Sequence, residues 1–290
     1  VLTATDIPHG PIEVLITATE ETGMDGANGL KPGVLKGDIL LNLDSETEGE
    51  LYVGCAGGLD STIEFNYKEA AVPADSKAFK LSLKGLKGGH SGMDINLGRG
   101  NSNKLLFRFL KANAKALDLR MAAVNGGSLR NAIPRESFAL VTVPSGNAGQ
   151  LQAKVAEASA IYKAELIEKD PDVKLLVEEA ELPARVMDAD LQERLIDAIM
   201  GCPNGTVRMI DSMPGTVETS NNLAIVKTTE DKIVINTLMR SSVETAKDYL
   251  ADSLQAVFEL AKADRIIFDG AYPGWKPNPH SAILKLMQEI

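Results

Sequence analysis

The sequence is poor in cysteine and has no long apolar run, and both absences narrow the class of protein. Among its 290 residues are two cysteines, Cys55 and Cys202, and neither stands in a Cys-x-x-Cys pair. This excludes a disulfide framework and a zinc ribbon, and it favours a reducing, cytoplasmic compartment. No apolar run approaches the ~18 residues of a membrane span, and no charged leader precedes an apolar stretch. Neither a membrane span nor a secretion signal is therefore predicted.

Positive charge is also scarce. The 30 Lys and Arg residues are outnumbered by 40 Asp and Glu residues, which gives a formal net charge of −10. Because an acidic surface repels phosphate groups, neither nucleic acid nor an anionic membrane is an expected partner. The hydrophobic fraction of 44% and the charged fraction of 24% are typical of a globular protein. The length suffices for one large domain or two ordinary ones.

The two ends of the sequence indicate an internal piece of a longer protein. The chain opens with Val1 and reaches an apolar run by Val14, and it closes at Ile290 in a segment with a helix start at Ser281 but no helix stop. We therefore expect this chain alone to be inactive.

The first part of the chain has the pattern of a parallel sheet. Residues 13–19 and 38–43 are near-continuous apolar runs, which predict strands buried on both faces. A short helix is predicted at residues 24–30, so a βαβ crossover is expected. A third run covers residues 51–56. We interpret residues 1–63 as part of an α/β catalytic domain with a mostly parallel sheet.

From about residue 64 polar and apolar residues alternate, which is typical of half-exposed antiparallel strands. The predicted order is strand, helix, strand, strand, helix, strand, which is the split βαβ arrangement. These elements are predicted at residues 77–86, 101–117, 121–125, 137–143, 148–169 and 172–179.

The order then partly recurs as helix, strand, strand, helix and strand, at residues 188–200, 222–228, 232–239, 243–261 and 265–269. We therefore expect residues 64–270 to form an α+β lid or dimerisation domain, with room for two related halves. Residues 271–290 are expected to return to the catalytic domain.

Three acidic residues follow the two predicted parallel strands. Glu20 and Glu21 come directly after residues 13–19, and Asp44 comes directly after residues 38–43. Ligands bind beyond the carboxyl ends of strands in open α/β sheets, so these side chains are expected at one edge. Carboxylates bind divalent metal ions, and a spare one can act as a general base. The alternative is that all three are solvated loop acids.

Three further candidates lie in the second part. His90 stands in a glycine-rich segment that lacks the pattern of a phosphate loop, and Asn131 lies between two predicted strands. Arg240 directly follows Met239, at the end of the strand predicted at residues 232–239. A guanidinium at a strand end can bind a carboxylate through two hydrogen bonds. The alternatives are that His90 is a turn histidine without a role, that Asn131 belongs to a capped turn, and that Arg240 forms a surface ion pair.

Seven segments, in this order, resemble the zinc exopeptidase family that includes aminoacylase, carboxypeptidase G, tripeptidase T and the carnosinases. The similarity is greatest to its aminoacyl-histidine dipeptidase branch (Xaa-His dipeptidase, peptidase D) and covers essentially the whole chain. The segments are residues 19–27 (TEETGMDGA), 42–46 (NLDSE), 54–58 (GCAGG), 84–92 (KGLKGGHSG), 129–135 (LRNAIPR), 217–220 (VETS) and 270–275 (GAYPGW).

The resemblance implies a role for each candidate. Glu20 is the implied general base, Glu21 and Asp44 are implied ligands to two different zinc ions, and His90 is the implied stabiliser of the tetrahedral oxyanion, often across a dimer interface. Asn131 and Arg240 are implied to hold the backbone of the substrate and its terminal carboxylate. The implied reaction is water attack on a peptide carbonyl polarised by two zinc ions, in a homodimer.

The sequence departs from the family pattern at the metal site. The family's His-x-Asp segment and bridging Asp would precede Val1, and its last histidine ligand would follow Ile290. We therefore expect this chain alone to bind zinc weakly or not at all. Two other functions stay open at this point: a non-catalytic dimerisation or binding module of the same fold, and a hydrolase of tripeptides or acyl-amino acids.

Overall fold

A computed structural model describes residues 4–20, 24–44 and 48–289. The chain divides into two compact units, one formed by Val1–Val53 with Pro279–Ile290 and one formed by Gly54–Asn278. The predicted division into a catalytic part and a lid, with boundaries after residues 63 and 270, stays a prediction.

Helices and strands are numbered along the whole chain. The helices are α1 (Asp25–Asn28), α2 (Ser102–Asn113), α3 (Ala148–Glu165), α4 (Ala189–Gly201), α5 (Glu244–Leu260) and α6 (Ala282–Glu289). The strands are β1 (Gly57–Asn66), β2 (Glu69–Ala70), β3 (Ser76–Lys84), β4 (Gly89–His90), β5 (Arg120–Gly126), β6 (Ala132–Ile133), β7 (Ser137–Pro144), β8 (Lys174–Ala180), β9 (Val186–Met187), β10 (Gly205–Met209), β11 (Val217–Thr228), β12 (Lys232–Ser241) and β13 (Arg265–Tyr272).

The first unit contains α1 and α6, and its described residues form no strand. The prediction of strands at residues 13–19 and 38–43 is therefore wrong for this structure. Ile16 is 89% exposed and Leu43 is 90% exposed, whereas strands of a parallel sheet are covered on both faces. Apolar runs of this kind form such a sheet only when other strands and helices cover them, and the described residues of this unit supply no strand and leave these runs exposed.

The second unit is built on a sheet of nine strands among its described residues. The order is β13-β1-β12-β11-β5-β7-β3-β8, and β10 pairs with β11. Two small pairs, β2 with β9 and β4 with β6, lie apart from it. All of these pairs are antiparallel.

This sheet consists of two halves with the same topology. The first half runs β1-α4-β11-β12-α5-β13. The second half runs β3-α2-β5-β7-α3-β8, and in the sequence it is inserted between β1 and α4 of the first half. In each half the first strand lies between the third and the fourth. The halves join where β11 pairs with β5, at Val226 opposite Gly126. The split βαβ prediction is confirmed, and the two related halves are present.

One strand of the first half was missed from the sequence. Residues 51–56 were predicted as a strand of the catalytic part, but only an isolated bridge from Cys55 to Trp275 forms there, and the strand begins at Gly57. β1 then pairs with β12 on one side and β13 on the other. Its partners lie far along the chain, so local periodicity does not reveal them.

Alternation of side chains places the core on one face of the sheet. In β1, Ile63 and Phe65 are fully buried, and the ring of Phe65 lies 6.3 Å from that of Phe258 in α5. Successive side chains of a strand point to opposite faces, so Gly58, Asp60, Thr62 and Glu64 lie on the other side. We call that side of the first half the open face; it carries the candidate site.

Within the described part of the chain, no helix has the length and apolarity to cross a membrane.

Candidate functional site

Arg240 stands in a row of residues that crosses four strands of the open face. It is opposite Gly58 of β1 and Ser220 of β11, and Gly58 is opposite Tyr272 of β13. The guanidinium Nη1 donates a hydrogen bond of 3.0 Å to the phenol oxygen of Tyr272. Antiparallel register therefore brings together residues that are far apart in sequence.

Gly58 makes room for the ring of Tyr272. A Cβ at Gly58 would lie 2.3 Å from Cε1 and 2.6 Å from the hydroxyl oxygen of that ring, which is closer than nonbonded atoms approach. Only glycine lets the phenol lie over β1 and reach Arg240. Tyr272 is not among the residues predicted for the site, because its neighbour across the sheet cannot be read from local pattern.

Two loops bring His90 and Asn131 to the same place. His90 in β4 pairs with Ala132 in β6, and the amide of Ser91 donates to the carbonyl oxygen of Asn131 at 2.8 Å. The Nε of Arg240 lies 3.4 Å from the hydroxyl oxygen of Ser91 and donates to it. We call His90, Ser91, Asn131, Arg240 and Tyr272 the Arg240 cluster. Three of the predicted site residues, His90, Asn131 and Arg240, are thus brought together.

The imidazole of His90 is held as a neutral ring in one tautomer. Its Nδ1 accepts hydrogen bonds of 3.2 Å from the amides of both Gly92 and Met93. Burial lowers the pKa of His90, the positive charge of Arg240 lowers it further, and Asp94 opposes the shift. In the neutral tautomer the proton therefore lies on Nε2, which can donate to an oxygen atom.

The backbone around Asn131 is fixed from below by a buried amide. The Nδ2 of Asn222, which is 1% exposed, donates to the carbonyl of Arg130 at 3.0 Å and to that of Ala132 at 2.8 Å. The guanidinium of Arg130 lies 3.3 Å from Asp60 and donates to Thr62 at 2.9 Å. Since both flanking peptides are anchored to the sheet, the exposed side chain of Asn131 stands on a rigid support. Sequence reasoning missed Asn222.

Acidic and basic side chains alternate beside the cluster. Burial raises the pKa of Asp60, Arg130 and Arg240 lower it, and the negative charge of Asp269 raises it. The open face therefore carries two guanidinium groups and two carboxylates that are close enough to interact.

The chain matches known peptidases in sequence and in structure. Residues 81–170 match the peptidase dimerisation domain. Over 289 residues the chain is 45% identical to the cytosol non-specific dipeptidase of Escherichia coli (strain K12). The matched region covers 100% of this chain and 59% of that protein. The crystal structure of aminoacylhistidine dipeptidase from Vibrio alginolyticus superposes with a TM-score of 0.96 at 48% identity, covering 99% of this chain and 59% of that one.

The chain is thus similar to these two peptidases over nearly its whole length. The resemblance drawn from the seven segments is confirmed. The chain spans 59% of the length of each of these relatives. The peptidase dimerisation domain corresponds to most of the second half of the sheet, from within β3 to beyond α3.

The metal site implied for this peptidase family is not assembled in the described residues. Glu20 and Asp44 are exposed, and Glu21 lies outside the described residues. No group of three or more His, Cys, Asp and Glu side chains that could hold a metal ion occurs among residues 4–20, 24–44 and 48–289. Two exposed carboxylates do not make a metal site, so the residues at hand do not fit a bound zinc ion. The strand ends expected to bring the acids together are not formed.

Proposed function

We propose that this chain is the lid and part of the catalytic portion of a metal-dependent dipeptidase. The observation that carries the proposal is the Arg240 cluster. Its guanidinium bonds to two neutral hydroxyl groups, those of Tyr272 and Ser91, and no carboxylate of the described residues pairs with it. Asp60 is close enough for its carboxylate to interact with the charge of Arg240, but it forms no salt bridge with it among the described residues. A half-buried guanidinium whose hydrogen-bond partners are both neutral can take the carboxylate of a ligand.

The other members of the cluster suit the remainder of a dipeptide. The Nε2 proton of neutral His90 can donate to the oxyanion that forms when water attacks a peptide carbonyl, and Asn131 can bond to the peptide backbone. Arg240 then sets which end of the substrate enters, because only a C-terminal residue carries a free carboxylate near the scissile bond. Glu20 is the proposed general base.

Zinc is proposed as the metal of the full-length protein, with two ions per active site. Glu21 and Asp44 are the proposed ligands from this chain. The remaining ligands would come from parts of the protein outside this sequence, since the described residues contain no complete set. Metal analysis of the full-length protein before and after treatment with a chelator tests the requirement. Full activity without metal would contradict it.

The preferred substrate is proposed to be an Xaa-His dipeptide. The names of the two relatives differ on this point, since one is called non-specific and the other an aminoacylhistidine dipeptidase. Comparing kcat/KM for Xaa-His, other dipeptides, tripeptides and acyl-amino acids decides among the alternatives. Equal values for Xaa-His and other dipeptides would contradict the Xaa-His assignment.

The role of Arg240 is tested with a substrate that lacks its target. In the full-length protein, Arg240→Met should raise KM for a dipeptide about 10–100-fold, the effect of losing a charged hydrogen bond pair. The same variant should have little effect on KM for the dipeptide amide, which has no carboxylate for Arg240 to bind. Arg265→Met, at the far end of β13, is the matched control. Equal losses on acid and amide, or from both arginines, would contradict the proposal.

We further propose that the full-length protein is a cytoplasmic homodimer that associates through the lid. The proposal rests on the match of residues 81–170 to a peptidase dimerisation domain, on β8 lying at one end of the sheet order, and on the cytosolic relative. Light scattering after size exclusion measures the mass. A monomer at micromolar concentration would contradict it.

A further inference from the structure

Asp170 holds both ends of the segment that carries His90. Its side chain is fully buried, with 0% exposure, just beyond the end of α3. Its Oδ1 accepts a hydrogen bond of 2.7 Å from the amide of Lys87, and its Oδ2 accepts one of 2.7 Å from the amide of Gly100. His90 lies between these two amides, so one carboxylate closes the loop of residues 87–100.

The anchor itself is rigid. The amide of Asp170 donates to the carbonyl of Leu166 at 2.7 Å, and its own carbonyl accepts from Val173 at 3.1 Å. Gly85, just before the loop, packs against the same segment. It has a φ of +85°, and a Cβ there would lie 2.0 Å from the carbonyl oxygen of Asp172. The start of the loop thus packs directly against the segment that carries Asp170.

One set of bonds acts inside the loop. The amide of His90 donates to Asp94 at 2.8 Å, Asp94 lies 3.4 Å from Arg99, and Arg99 donates to the carbonyl of Gly88 at 2.6 Å. These contacts preserve the shape of the loop. The loop is also tied to the rest of the domain beside His90, where β4 pairs with β6 and the amide of Ser91 donates to the carbonyl of Asn131. The two bonds of Asp170 add an anchor at each end of the loop, and a hydrogen bond to a charged carboxylate is stronger than one between neutral groups.

We propose that Asp170 is a positioning residue for His90: by closing residues 87–100, it sets where the imidazole meets the substrate. The inference rests on the proposed role of His90 and goes beyond it, because Asp170 touches neither the substrate nor the imidazole. A displacement of about 1 Å in a reacting group can cost on the order of 100-fold in rate. Loss of the anchor should therefore act on the chemical step and leave substrate binding largely intact.

The substitution Asp170→Asn alters the hydrogen bonds of the side chain without changing its size. Asparagine has the same shape, but its amide nitrogen would face one of the two backbone N–H groups, so one bond is lost and two donors oppose each other. In the full-length metal-loaded protein, we expect kcat to fall about 10–100-fold with KM changed by less than about threefold. Hydrogen exchange at the amides of Lys87 and Gly100 should become faster.

The control is another aspartate whose side chain accepts backbone N–H bonds. Asp188 caps α4 by accepting from the amides of Asp190 and Leu191, outside the His90 loop. Asp188→Asn should lower the thermal midpoint without lowering kcat. A fall in kcat like that of Asp170→Asn would overturn the proposal, because general destabilisation would then explain both.

A double-mutant cycle decides whether Asp170 acts through His90. In the His90→Ala background, Asp170→Asn should change kcat by less than about twofold, since the group that it positions is gone. The same fold loss with and without His90 would overturn the proposal, as would unchanged exchange at Lys87 and Gly100. If His90→Ala by itself keeps full kcat, the role of His90 under the proposed function fails, whereas the exchange data still report whether the anchor exists.

Discussion

Gly58 and Tyr272 lie opposite each other on β1 and β13, and the missing side chain of the first is the space that the ring of the second occupies. The phenol oxygen of Tyr272 accepts from Arg240 at 3.0 Å. The position of a candidate substrate-binding guanidinium thus depends on a glycine in the strand beside β13. Lys247 of α5 holds the backbone of Tyr272 by donating to its carbonyl at 2.8 Å.

The substitution Gly58→Ala should therefore weaken catalysis without abolishing folding. The new methyl group displaces the ring and removes the hydroxyl from Arg240, so kcat/KM for a dipeptide should fall about tenfold, the effect of one charged hydrogen bond. Tyr272→Phe should give a loss of similar size. Gly146→Ala is the control, because nothing lies within 4 Å of a Cβ there. Steady-state kinetics of the full-length protein measure all three, and equal activity of the two alanine variants would count against this arrangement.

The pKa of His90 should respond to the two charges beside it. It lies below the ordinary value of 6.5 through burial and the positive charge of Arg240, so Arg240→Gln should raise it. Asp94→Asn should lower it, because the carboxylate of Asp94 acts in the opposite direction. NMR titration of the imidazole, assigned with His90→Gln, measures the shift. Arg265→Gln should leave it unchanged, and shifts of the same sign for Arg240→Gln and Asp94→Asn would contradict the assignment.

The same shift gives the pH dependence of folding. Because the pKa of His90 is lower in the folded state, that state binds fewer protons than the unfolded state between the two values. The contribution of His90 to stability is therefore fully present above its unfolded pKa and is lost as pH falls through its folded pKa. The wild type should lose more stability than His90→Gln over this acidic window in urea unfolding; parallel curves would count against it.

Lys104 should be a large contributor to the stability of the second unit. Its ammonium group, carried by α2, donates hydrogen bonds of 2.8 Å to the carbonyls of Ile199, Met200 and Cys202 at the end of α4, and burial lowers its pKa. Lys104→Met leaves these carbonyls without their donor and should cost ~2–4 kcal/mol in the free energy of unfolding. Denaturant unfolding measures it against the exposed control Lys115→Met; equal midpoints would refute the expectation.

The two cysteines should differ sharply in reactivity. Cys55 is exposed, whereas Cys202 is buried, and burial raises the pKa of its thiol to about 12. Since the thiolate is the nucleophile, iodoacetamide at neutral pH should modify Cys55 within minutes to hours and Cys202 only after unfolding. Peptide mapping by mass spectrometry identifies the modified site. Rapid labelling of Cys202 in the folded protein would show that α4 opens.

The helices and strands of the second unit could be predicted from the sequence wherever the pattern is local. Alternation predicted β3, which spans Ser76–Lys84, and a stripe of apolar residues predicted α2, which spans Ser102–Asn113. Periodicity works here because each element buries one face against the same core. At residues 13–19 the same reasoning was wrong, because an apolar run forms a buried strand only if other elements cover it.

By itself, the sequence determined the resemblance to a peptidase family, the split βαβ order and the choice of His90, Asn131 and Arg240 as candidates, since these depend on residue type and local spacing. Only the tertiary structure decided that β1 completes the first half, that Tyr272 reaches Arg240, and that Asp170 closes the loop of His90. These relationships depend on strand register and on buried hydrogen bonds between residues far apart in the chain, which local pattern does not encode.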